Sequence, residues 1–146
     1  MGNKRILIVD DDPVLLRGLH LRLKANHYDT FLAEDAITSI SEARRCEPDL
    51  ILLDLGLPAG DGFIVMERFK AVPSLAAIPI VVLSAREISG NRERALYAGA
   101  KAFLQKPADN AELLMVIRQV LGDAAQPKEP VVYDLSWCRD EVKHLA

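Results

Sequence analysis

Short apolar runs alternate five times with longer stretches whose apolar residues recur at helical spacing, and this alternation constrains the fold more than any other feature of the sequence. The runs are Ile6–Val9, Tyr28–Ala33, Asp49–Leu53, Ile80–Leu83 and Ala102–Leu104. Ile6–Val9 and Leu50–Leu53 are wholly apolar, as expected of strands covered on both faces. Asp12-Pro13 supplies a helix N-cap and a first helical position, and Leu15, Leu19 and Leu23 mark the buried face of the helix that follows. Ala36–Cys46 is helical in pattern, with Ile40 and Ala43 inward, and Glu47-Pro48 ends it. Gly56, Pro58, Gly60 and Gly62 punctuate a loop before a helix over about Phe63–Val72. A helix near Asn91–Ala98 stops at Gly99, and Ala111–Leu121, with Leu113, Leu114, Ile117 and Leu121 inward, ends at Gly122. Strand and helix repeated in this order predict an α/β fold. The sheet is parallel with helices on both faces, because parallel strands need crossover connections and these are right-handed.

The 146 residues fit one domain with a short appendage. A chain of this length buries enough surface to fold without a disulfide or a structural metal. The domain is expected over residues 4–122. Residues 123–146 change character: Ala124-Ala125-Gln126-Pro127-Lys128-Glu129-Pro130 has the composition of a linker, and Val131–Ala146 is a short mixed tail holding the only tryptophan, Trp137. A net charge of −3 gives no basic face, so no direct nucleic-acid binding is expected. Cys46 and Cys138 stand in unrelated contexts, and no Cys/His spacing suggests zinc. The apolar start breaks off at Asp10, too soon for a secretory signal. Ile6 stands where a myristoylation motif wants Ser or Thr. No apolar stretch reaches membrane-spanning length. These features together predict a cytosolic protein without membrane contact.

In open α/β sheets ligands bind outside the carboxyl ends of the strands. Here the first run ends in Asp10-Asp11-Asp12, the third in Asp54 and the fourth in Ser84, while Lys106 follows the fifth. Carboxylates held close together repel and raise one another's pKa, a cost that a divalent cation among them removes. Oxygen-only ligands suit Mg²⁺, which keeps several waters and bridges to phosphate oxygens. A carboxylate beside such an ion can act as a nucleophile toward phosphorus. Lys106 and Ser84 supply a cation and a hydroxyl for the remaining phosphoryl oxygens. Singly, each residue has a plainer role: Asp12 caps a helix, a lone Asp or Ser ends a strand, and Lys-Pro makes a turn. Their joint placement at separate strand ends is what points to phosphoryl chemistry.

The blocks Ile6-Leu7-Ile8-Val9-Asp10-Asp11-Asp12-Pro13, Asp49 to Pro58 with Asp61-Gly62, Ile80-Val81-Val82-Leu83-Ser84-Ala85 and Ala98 to Pro107 resemble the receiver domain of two-component response regulators. The resemblance covers residues 4 to about 122. It implies a flavodoxin-like (βα)5 fold with a five-stranded parallel sheet in the order 2-1-3-4-5. It implies further that Asp54 is the phosphoacceptor, that Asp11 binds Mg²⁺ directly and Asp10 mainly through water, and that Asp54 and the carbonyl of Gly56 complete the metal set. Ser84 matches the switch hydroxyl, Phe103 the aromatic switch residue, and Lys106 the phosphate-binding lysine, whose bond to Pro107 is usually cis in this family. The expected partners are a sensor histidine kinase or a histidine phosphotransfer domain and an unidentified downstream protein, with phosphorylation-dependent dimerisation among the outputs. Arg86 and Ala102 stand where the DNA-binding subfamily carries an acidic pair, and no effector module is expected in the residues that follow Gly122.

Two other readings compete. Dehalogenase-type phosphohydrolases also pass through an aspartyl phosphate, but they carry Asp-x-Asp after the first strand, unlike the three adjacent aspartates here. A degenerate receiver used only as a scaffold would not need the complete set of acceptor, metal ligands and lysine.

Overall fold

The computed structural model describes residues 2–56, 62–84, 88–106, 110–122 and 131–133. The elements follow in the order β1 (Arg5–Val9), α1 (Pro13–Ala25), β2 (Asp29–Ala33), α2 (Ala36–Cys46), β3 (Leu50–Leu53), α3 (Gly62–Ala71), β4 (Ile80–Ser84), α4 (Ile88–Tyr97), β5 (Ala102–Gln105), α5 (Asn110–Leu121) and β6 (Val131–Tyr133). The sheet order is β2-β1-β3-β4-β5-β6 and every pair is parallel. The expected order 2-1-3-4-5 is therefore present. A sixth strand extends it, drawn from the segment whose composition suggested only a tail.

Period-two alternation along the strands divides the core into two layers. Leu7, Val9, Ile51, Leu53, Val82 and Phe103 face α2, α3 and α4, where Ala43, Phe63, Met66, Phe69 and Ala95 meet them. Ile6, Ile8, Leu50, Leu52, Val81, Leu83 and Leu104 face α1 and α5, against Leu16, Leu19, Leu23, Leu113 and Ile117. The buried stripe of α1 runs through Leu16, with Leu15 packed at its flank, because covering a sheet takes a wider apolar face than one i, i+4 row.

Local chemistry sets the helix ends. The Asp12 carboxylate accepts from the amides of Val14 and Leu15, at 3.0 and 3.3 Å, and Pro13 occupies the first turn. Asp35 caps α2 by accepting from the Thr38 amide at 2.7 Å. Glu47 closes that helix in the left-handed region, at φ 50°. Gly99 follows α4 at φ 108° and Gly122 follows α5 at φ 85°, conformations that cost glycine little. The Arg94 guanidinium carbon lies 3.9 Å from the Phe63 ring centroid, a cation–π contact joining α4 to α3.

Candidate functional site

β1 and β3 are neighbours with Val9 in register with Leu53, so the residues that follow, Asp10 and Asp54, emerge side by side at the carboxyl end of the sheet. Backbone bonds hold both: the Asp10 amide donates to the Ala33 carbonyl at 3.1 Å and the Asp54 amide to the Val9 carbonyl at 2.9 Å. Asp10 and Asp54 are buried, at 3% and 7% exposure, while Asp11 is exposed. One carboxylate oxygen from each of Asp10, Asp11 and Asp54 lies within 4.8 Å of the others.

Lys106 reaches this cluster from the end of β5. Its ammonium donates to Asp10 Oδ2 at 2.6 Å and lies 3.7 Å from Asp54 Oδ1. Its amide donates to the Ser84 carbonyl at 2.8 Å, tying the lysine to the end of β4. Ser84 is fully buried and in register with Gln105. Burial pushes the Asp10 carboxyl above the usual carboxylate range, and neighbouring Asp54 adds to the rise. The Lys106 ammonium and the Asp12 amide, which donates to Asp10 Oδ1 at 2.9 Å, work against it.

Two glycines shape the surroundings of Asp54. The Gly56 amide donates to Asp54 Oδ1 at 3.2 Å, and a Cβ at that position would lie 3.6 and 3.7 Å from the two Asp54 oxygens. A side chain at position 56 would therefore stand in van der Waals contact with the Asp54 carboxylate. Gly62, which in the sequence marks a loop and belongs to a motif, also has a steric role. A Cβ there would come within 2.6 Å of the Leu55 Cα and 2.7 Å of the Asp54 carbonyl oxygen, so only glycine lets α3 start this close to Asp54. The motif hinted at this glycine; the Lys106–Asp10 bond had no signal in the sequence, since it joins residues 96 positions apart.

Phe103 lies in the core with Phe63, Phe69 and Ala95 and is fully buried. A shift of its ring toward Ser84 would exchange one buried environment for another. The bond between Lys106 and Pro107 lies outside the described residues. The structure thus brings Asp10, Asp11, Asp54, Gly56 and Lys106 together, with Ser84 one strand away and Phe103 in the layer beneath. Three clustered carboxylates form a hard, oxygen-only donor set that fits Mg²⁺.

The family profile of the response regulator receiver domain matches residues 6–118. The chain belongs to this family. The response regulator PleD of Caulobacter vibrioides is 39% identical over 116 residues, covering 80% of this chain and 26% of PleD. The polar-differentiation response regulator DivK of Brucella anthropi is 30% identical over 121 residues, covering 83% of this chain and 98% of DivK. The chain spans about a quarter of the length of PleD and about half that of longer relatives such as the Escherichia coli KDP operon transcriptional regulatory protein KdpE, of which it covers 56%. The receiver domain of the Pseudomonas aeruginosa sensor histidine kinase PA1611, with a magnesium ion coordinated in its active-site cleft, superimposes with a TM-score of 0.76 at 32% identity, covering 83% of this chain and 99% of that one. A CheY-like receiver domain protein from Methanospirillum hungatei gives a TM-score of 0.76 at 28% identity, covering 84% and 96%. This receiver domain is thus a signalling switch of the response regulator class. Among its described residues no helix is long and apolar enough to cross a membrane.

Proposed function

We propose that this receiver domain, taken over residues 4–122, accepts a phosphoryl group on Asp54 from a phosphohistidine of a sensor histidine kinase or histidine phosphotransfer domain. An Asp54 oxygen attacks phosphorus, the P–N bond to the donor imidazole breaks, and the imidazole leaves with its electron pair and takes up a proton. The observation that supports this most is the Lys106 ammonium held 3.7 Å from Asp54 Oδ1, close enough to meet the oxygens of a phosphoryl group formed there. Asp10, Asp11 and Asp54, with the Gly56 carbonyl, would hold Mg²⁺, whose chemistry at this site is to offset the charge of the carboxylates and the incoming phosphoryl group.

Ser84 is the hydroxyl placed to follow the phosphoryl group, and Phe103 the aromatic whose packing changes with it. Movement of these two would reach the surface made by α4, β5 and α5, where Tyr97 stands 96% exposed. That surface is the candidate docking face for a downstream partner or a second copy of the chain. The test is a titration with Mg²⁺ and beryllofluoride followed by amide chemical shifts. Saturable shifts should centre on Asp54 and spread to α4, β5 and α5. Asp11→Ala should weaken the binding. Absence of binding, or spread confined to α1, would overturn the reading.

A further inference from the structure

β6 lies beyond the stretch that matches the receiver family, which ends at residue 118, and it occupies the edge that β5 would otherwise expose. Its pairing is specific: Val131 stands opposite Ala102, Val132 opposite Phe103 and Tyr133 opposite Leu104. An uncovered edge strand offers unpaired amides and carbonyls to any extended segment that meets it. Here the chain's own C-terminal segment fills that place, beside the aromatic residue assigned to the switch. We infer that the β5 edge is a strand-docking site whose resting occupant is residues 131–133 of this chain, and that docking is coupled to the phosphoryl site at Asp54.

The coupling follows from how β5 is held. At its carboxyl end Lys106 donates to Asp10, and the Lys106 amide is tied to the Ser84 carbonyl. A phosphoryl group on Asp54 draws the Lys106 ammonium and Ser84 toward β3, on the side of β5 away from β6. Parallel ladders use slanted, evenly spaced bonds, and a three-residue strand has few of them to lose. Shifting β5 toward the acceptor therefore works against the β5–β6 pairing. Because linkage is reciprocal, releasing β6 should ease phosphoryl binding by the same factor. This coupling rests on the phosphoacceptor reading above; the docking itself does not.

The test uses the full chain and the double variant Val131→Pro/Val132→Pro. In a parallel edge strand alternate residues direct their amide to the neighbour, so of two consecutive positions one must lose a ladder donor to proline. The expected result is faster hydrogen exchange at the Ala102–Leu104 amides that point away from β4, with β1 unchanged, and beryllofluoride–Mg²⁺ binding about fivefold tighter than in the wild type, the low end of measured couplings. Equal exchange in the two proteins overturns the docking. Faster exchange with unchanged beryllofluoride affinity overturns the coupling. If neither protein binds beryllofluoride, the phosphoacceptor reading falls and the coupling with it, while the exchange comparison still decides the docking.

Discussion

The Lys106 ammonium rests on Asp10, at 2.6 Å, and not on the proposed acceptor Asp54, which lies at 3.7 Å. The lysine thus partners a carboxylate that burial disfavours, and it stays one short movement from the carboxylate that would carry the phosphoryl group.

This pair should be energetically coupled. Lys106→Met leaves the Asp10 carboxylate buried without its cation and should cost about 1–3 kcal/mol of stability. Asp10→Asn in the same background should recover much of the loss, since neither partner is then left as an unpaired charge. Urea unfolding of the two single variants and the double variant measures the coupling, and strictly additive effects would contradict it.

Asp10 also gives the metal-free protein a pH signature. Burial holds its pKa in the fold above the unfolded value, so the folded state binds this proton more tightly. Stability from this group then falls as pH rises from the ordinary carboxylate value of about 4 through the raised folded pKa, and it is regained as pH is lowered. Thermal melts in EDTA should show the wild type gaining on Asp10→Asn as pH drops through that window. A difference that is flat, or that runs the other way, would contradict the assignment.

Two glycine-to-alanine substitutions should act with opposite sign. At Gly62 the added carbon meets backbone at 2.6 Å, which cannot yield, so α3 must shift; a loss of about 1–3 kcal/mol is expected, with slower phosphorylation at Asp54 once the helix beside it has moved. At Gly18, inside α1, a Cβ meets nothing within 4 Å, and a gain of about 0.5–1 kcal/mol is expected. Denaturant midpoints decide both. Similar shifts at the two positions would mean that the close approach at Gly62 does not constrain the fold.

Much of this arrangement was legible in the sequence because its signals are local. Ile6–Val9 and Leu50–Leu53 read as doubly covered strands, and α2 begins and ends where its pattern predicted, at Ala36 and Cys46. The convergence of Asp10, Asp54, Ser84 and Lys106 followed from their places at strand ends, since the topology brings those ends together. What the sequence could not show depends on distance in space. Nothing local says that Lys106 chooses Asp10 over Asp54, or that Phe103 is already buried among Phe63, Phe69 and Ala95. β6 lacks a local signal for a related reason. Val131-Val132-Tyr133 is too short to read as a strand alone, and its pairing is supplied by the free edge of β5. The stripe on α1 shifted from Leu15 to Leu16 because helical periodicity allows neighbouring rows and packing against the sheet selects among them.

The central claim is that Asp54 carries the phosphoryl group, and covalent labelling tests it most directly. Wild-type protein incubated with acetyl phosphate and Mg²⁺ should acquire an acid-stable but base- and hydroxylamine-labile acyl phosphate that maps by mass spectrometry to the peptide containing Asp54. Asp54→Asn should keep the fold by circular dichroism and acquire no label. A label retained in Asp54→Asn, or mapped to another residue in the wild type, would contradict the account.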